Sequence, residues 1–198
     1  MTVQNSVAER NARLDAFEDL IGASPTLNIY TGSQPANCAA ADTGTLLISM
    51  TLPSDWMSAA ASGSKSMLGT WTGTAVATGI AGYYRIKDSS TVVHEQGLVS
   101  SVIIYNTSGT TSALGNVLTL LATTGIVTGM SVSGSGIPAG ATVIGTTSGT
   151  VTLSLSSITG VSSGVAITFS GDISLNNLSI ASGQVVSLST YTKTAGNP

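Results

Sequence analysis

The chain has 198 residues, of which 42% are apolar and only 8% charged, against roughly 25% charged in an average soluble domain. Six Lys and Arg against nine Asp and Glu leave a net charge of -3, which removes the basic surface that phosphate backbones require and argues against a nucleic-acid partner. A mean hydropathy of +0.38 comes from short apolar runs such as Leu120-Leu121-Ala122, far below the roughly 20 residues of a bilayer-crossing helix, so no membrane partner is expected.

With 30 serines, 28 threonines and 23 glycines, small hydroxyl side chains replace charge as the source of polarity, a composition that favours strands and turns over helices. The one strong helical signal lies near the N-terminus. Ser6-Val7-Ala8-Glu9 has the form of a capping box. Leu14, Phe17 and Ile21, with Leu20 beside them, recur at three- and four-residue spacing, and Gly22 followed by Pro25 supplies a stop. The spacing predicts an amphipathic helix over Ser6 to Ile21, marginal in water at that length on its own. Leu14, Phe17, Leu20 and Ile21 are therefore its candidate packing or interface residues, within an N-terminal docking segment of residues 1–25.

After Pro25 the periodicity falls to two. Leu27 and Ile29, then Leu46, Ile48 and Met50, alternate with polar residues as half-buried strands do, and the segment 32–44 between them reads as a loop. Pro53 ends the second strand, and Ser54 is placed to cap a short helical turn reaching about Ala61. Further strands are expected over Met67 to Thr72, Gly82 to Lys87 and Thr91 to Val99, the last two joined at Asp88-Ser89-Ser90. From about Ala113 to Ser170 short apolar runs are punctuated by glycine: Val117 to Leu121, Met130 to Ser133, Ala141 to Thr146, Val151 to Leu155 and Val165 to Phe169. Two last strands are expected over Ile173 to Ile180 and Val185 to Thr192. The expected fold is mainly β: the helix, then an antiparallel β-sandwich or barrel formed discontinuously by residues 26–112 and 171–198, with an inserted small Ig-like or β-sandwich module over 113–170.

Chemistry is sparse. One cysteine, Cys38, and one histidine, His94, leave no intramolecular disulfide and no Cys/His zinc site. His94 alternates with Val93 and Glu95 on a strand, where a hydrogen-bonded surface histidine is the plain reading against a catalytic one. Cys38 lies in an Ala/Asn loop with no base assigned beside it. Asp42, Asp55 and Asp172 sit next to Gly, Ser or Thr, as turn and cap acids do more often than calcium ligands. Gly134 to Gly140 lacks the lysine and the following helix of a phosphate cradle. Trp56, Trp71, Tyr83 and Tyr84 fit core packing, with sugar stacking as the competing role. No catalytic residue, cofactor or metal is assigned. Met1 to Arg10 carries no apolar core of a signal peptide, so assembly in a cytoplasm is expected.

Several segments together resemble a group of small virion structural proteins of tailed bacteriophages. They are the run from Arg10 to Leu27, Pro35-Ala-Asn-Cys-Ala-Ala-Ala-Asp-Thr-Gly44, Leu52-Pro-Ser-Asp-Trp56, Gly82-Tyr-Tyr-Arg-Ile-Lys87, Ile180-Ala-Ser-Gly-Gln184 and Thr194-Ala-Gly-Asn197. The likeness covers residues 7–99 and 171–197. The intervening stretch, with Leu118-Thr-Leu120, Gly125-Ile126, Gly129-Met-Ser-Val-Ser-Gly134 and Gly136-Ile-Pro-Ala-Gly-Ala-Thr-Val143, is similar to β-modules of phage surface and fibre proteins. The resemblance implies a non-enzymatic virion component and supplies no catalytic residues. It implies a homo-oligomeric head decoration or cement protein whose partners are the major capsid protein or other virion proteins. A neck, collar or tail-attached protein is the alternative within that class, and a carbohydrate-binding adhesion module the alternative outside it.

Overall fold

A computed structural model describes residues 4–156 and 160–196. The chain is mainly β, with one helix, α1 (Val7–Ile21), and sixteen strands among the described residues. The first strands are β1 (Thr26–Thr31), β2 (Leu46–Thr51), β3 (Ser64–Ser66), β4 (Trp71–Thr74), β5 (Gly79–Lys87) and β6 (Val93–Ser100). There follow β7 (Ile103–Asn106), β8 (Val117–Thr119), β9 (Ser131–Ser133), β10 (Val143–Thr147), β11 (Thr150–Leu153), β12 (Ala166–Ser170) and β13 (Ile173–Ser174). The last are β14 (Ser179–Ile180), β15 (Val185–Leu188) and β16 (Thr192–Thr194). These elements form two compact units, one from the described residues of Met1–Gly97 and Leu178–Pro198, the other from those of Leu98–Asn177.

In the first unit, Ser6 caps α1 by accepting the Glu9 amide at 3.1 Å. The helix ends where Gly22, at φ 79°, donates its amide to the Glu18 carbonyl; a side chain at that positive φ is disfavoured. β1 lies between β2 and β5, antiparallel to both. Its register puts Leu27 opposite Ile86 and Ile29 opposite Tyr84, while Asn28 and Tyr30 on the other face meet Arg85 and Tyr83. All four of these central β1 residues are buried, so β1 is covered on both faces, which strict alternation does not anticipate. Beyond β2 the sheet continues into β4 through the Ile48–Ala75 bridge and the Val76 amide on the Leu47 carbonyl. β4 in turn pairs with β15, and β3 with β16. Aromatic rings run through the core from Phe17 to Trp56, Trp71 and Tyr191, with centroids 5.1–5.9 Å apart. Each such side chain contributes about 1.5–3 kcal/mol by burial.

Three local expectations are corrected. Ser54 to Ala61 forms no helical turn; it is an extended arm with a Met57–Met67 bridge, in which the Leu68 amide bonds the Trp56 carbonyl and the Ser58 amide the Ser66 carbonyl. Backbone groups satisfied across a sheet have no use for a helix cap. The strand expected over Met67 to Thr72 is interrupted at Gly69, φ 71°, so β3 and β4 take different partners. Likewise Ile173 to Ile180 is two strands: β13 runs parallel to Val99 and Ser100 within the second unit, and β14 joins β5 in the first. The second unit is also longer than the 113–170 of the expected insertion, because β7 pairs with β12 over four residues.

That second unit contains two three-stranded antiparallel sheets, β10-β11-β8 and β7-β12-β9. Backbone bonds stitch both margins. Thr107 bridges Leu120, with the Ser108 amide on the Thr119 carbonyl and the Leu121 amide on that of Asn106. On the other side Ser131 bridges Thr142, Val132 donates to Ala141 and Val143 to Met130. The six strands thus close into a ring around Leu118, Met130, Val132, Val151, Leu153, Ile167 and Phe169. Closure removes the exposed edges on which flat sheets aggregate.

Candidate functional site

Charged side chains are so few that their positions can be followed one by one, and in the first unit eight of the fourteen converge on three centres. The largest is built by the loop between β1 and β2. Arg85, from the middle of β5, is 1% exposed beneath this loop. Its Nη1 donates to the Ala40 carbonyl at 2.8 Å and to Asp42 Oδ1 at 2.7 Å. Nη2 donates to the Asn37 carbonyl at 3.0 Å and to Gln96 Oε1 at 2.8 Å, and Nε also reaches Gln96 Oε1. Every guanidinium N–H is therefore used. Gln96 reaches back to the Pro35 carbonyl at 2.7 Å, and Tyr83 donates to the Thr43 carbonyl at 2.6 Å. Tyr83 also stacks on Tyr30 at 5.0 Å.

Asp42 is the hub of this centre. Its Oδ2 accepts from Tyr30 at 2.7 Å and from Lys87 at 2.6 Å. Burial pushes its carboxyl upward, but the hydrogen bonds from Lys87, Tyr30 and Arg85 outweigh it and hold the group at about 2. Burial disfavours the Lys87 ammonium, yet its bond to Asp42 raises it above the ordinary lysine value. Beside the hub lies an open cleft of about 340 Å³ formed by Cys38 to Asp42, Arg85, Lys87 and Thr91 to Val93. Half of its lining residues are alanine or valine. With the Arg85 donors consumed, the cleft presents the Lys87 ammonium and the half-buried Cys38 thiol but no nucleophile with an assigned base.

The second centre docks the helix. Lys65, 4% exposed, reaches Asp15 Oδ1 at 2.7 Å and Glu18 Oε2 at 2.6 Å. The same face of α1 accepts the Met57 amide on Glu18, the Ala60 amide on Asp15 and the Gly63 amide on Asn11. In the third centre Glu95, on β6, accepts the hydroxyls of Tyr84 and Tyr191, each at 2.6 Å, and contacts Lys193 of β16.

The helix stripe divides. Leu14 and Ile21 are buried in the first unit's own core, Phe17 packs on Trp56, and Leu20 faces solvent at 69% exposure. His94 bonds Asp88 at 3.0 Å, and the Asp88 carboxylate also accepts the Ser90 and Val92 amides. The three aspartates considered for calcium are each placed otherwise: Asp42 serves Arg85, Lys87 and Tyr30, Asp55 is exposed in the first unit, and Asp172 accepts the Leu98 amide at 2.8 Å in the second unit. No group of three or more His, Cys, Asp or Glu among the described residues is placed to hold a metal, and no described helix is long and apolar enough to cross a membrane. In the Gly134 to Gly140 loop, the Ile137 amide bonds the Gly134 carbonyl and the Ala141 amide that of Pro138, so these amides close turns. Trp56, Trp71, Tyr83 and Tyr84 are all buried, which removes the rings named for sugar stacking.

Arg85, Lys65 and Glu95 were not among the candidates that motif reading selects. The available signal was rarity: a charged residue inside an apolar strand, as in Tyr83-Tyr84-Arg85-Ile86, almost always needs a buried partner. No family model, curated protein or solved structure matches the chain.

Proposed function

We propose that this chain is a non-enzymatic structural component of a tailed-bacteriophage virion, a decoration or cement protein seated on the head surface. The residues that resemble phage structural proteins motivate the reading. The observation that carries it in the fold is the charge inventory of the second unit, in which Asp172 is the only Asp, Glu, Lys or Arg between Leu98 and Asn177. Its outward aliphatics include Val102, Ile104, Leu121 and Ile144. A freely diffusing domain uses surface charge for solubility and colloidal repulsion; a subunit packed among neighbours has no such need. The first unit supports the same reading, because Arg85, Lys65 and Glu95 fasten a loop, a helix and a C-terminal strand to their own sheet.

Quantitative mass spectrometry of purified particles of the encoding phage tests this. Copies comparable to the major capsid protein, or a sizeable fraction of it, are expected for a shell decoration. A total of about a dozen to a few dozen would instead indicate a closed ring at the neck or tail. Absence from the particle overturns the proposal.

A further inference from the structure

We propose that Lys193 and Glu95 condense into an isopeptide bond that ties the C-terminal strand covalently to β6. The inference is independent of the virion reading. It rests on what surrounds the Glu95 carboxyl, which is 11% exposed. Oε1 accepts two phenolic hydroxyls, from Tyr84 and Tyr191, each at 2.6 Å. Oε2 is in contact with Lys193 Nζ. The carboxyl thus has an amine against one oxygen and two donors on the other, the one that becomes negative in a tetrahedral intermediate, where acyl transfer uses such donors. Nζ also lies over the Phe17 ring, 4.1 Å from its centroid, so one wall of the site is apolar.

The amine must be neutral to attack. Burial pushes Lys193 below the ordinary lysine value, outweighing the raising effect of Cys38. Directly opposite Lys193 in the β16–β3 pair stands Lys65, whose charge is matched by Asp15 and Glu18. Lys65 is a natural control: burial opposes its charge, but Asp15 and Glu18 outweigh burial and raise it, while Asp15 is lowered through its bond to Lys65 and is 49% exposed. That pair is an ordinary ion pair.

The step balances without a co-reactant. The Nζ lone pair adds to Cδ of the Glu95 carboxylic acid, and Oε1 takes the negative charge under the two phenols. The Cδ–Oε2 bond then breaks, and Oε2 leaves as water with the acid proton and one amine proton. Neutral acid and neutral amine give amide and water. Well-oriented held groups reach effective molarities of about 10⁵ M or more, which speeds the attack.

Intact mass spectrometry of the natively purified full chain tests the proposal. The wild type is expected one water lighter than its sequence, with a proteolytic fragment joining the Glu95 and Lys193 peptides. Lys193→Arg keeps a cation without an amine nucleophile and should show its full mass. Glu95→Gln should reach the same amide by losing one ammonia. A wild-type chain at full mass overturns the proposal, as does a lost water that persists in Lys193→Arg.

Discussion

Arg85 Nη1 and Asp42 Oδ1 stand 2.7 Å apart, and this contact joins the middle of a central strand to a loop with no helix or strand of its own. The guanidinium is 1% exposed, so what matters is less the net worth of the pair than the cost of breaking it. Asp42→Ala leaves Arg85 buried without its carboxylate and takes a partner from Lys87 and Tyr30. Removing one member of a buried pair costs about 3–5 kcal/mol, and that loss is expected in urea denaturation. A loss below about 1 kcal/mol would show that the loop carbonyls of Asn37 and Ala40 suffice for Arg85.

The same carboxylate sets an acid limit. Its folded-state value of about 2 lies below the roughly 3.9 of an unfolded aspartate, so its stabilisation is fully present above about pH 4 and is lost as pH falls through about 2. Asp15 and Asp88 are lowered too, through their bonds to Lys65 and His94, and act with the same sign. The urea midpoint of the wild type should therefore fall between pH 4 and pH 2. Asp42→Asn should fall less steeply over that window; an unchanged slope would assign the acid sensitivity to other carboxylates.

How far the sequence predicts the molecule depends on how local each cause is. The helix is legible because its signals are contiguous: Ser6 caps, Glu9 follows three residues later and Gly22 closes. The alternation of Leu27 and Ile29 in β1 and the glycine turn between β10 and β11 are legible for the same reason. The arm at Ser54 to Ala61 carries a local helix signal, yet bonds to residues 64–68 override it. β3 pairs with β16 from the far end of the chain, and no window of sequence reveals that partner. The burial of Asn28 and Tyr30 is hidden for a related reason, since an irregular loop covers a face that alternation assigns to solvent. The partners in the three charged centres follow from long-range contacts, so the rarity of a charge such as Arg85 inside an apolar strand marks the residue but not what it meets.

Gly82 tests the close approach that lets the loop leave β1. A Cβ built on it would lie 2.0 Å from the Gly32 carbonyl oxygen, beside the register shift between Tyr30 and Thr31. The obstacle is backbone, not a side chain that can swing away. Gly82→Ala should cost about 1–3 kcal/mol, as overpacking does in a well-filled region, and should loosen loop 32–45. Hydrogen exchange at the Thr45 and Thr43 amides, which bond Thr31 and Tyr83, reads the second effect directly. Wild-type stability and exchange in this variant would show that the two backbones can part freely.

The division of the helix stripe yields the test that separates core from docking surface. Leu14 is 4% exposed and Leu20 69%, although both belong to the same apolar pattern. Leu14→Ala should cost about 2–5 kcal/mol through lost burial and a cavity, whereas Leu20→Ala should stay within about 0.5 kcal/mol. Under the virion proposal Leu20 is the member of the stripe left for a neighbour, so Leu20→Glu should keep the melting temperature while lowering occupancy on particles in a reconstitution assay. Full occupancy with Leu20→Glu would move the contact surface away from α1. A large loss of stability with Leu20→Ala would instead mean that the exposed face of the helix is part of the core.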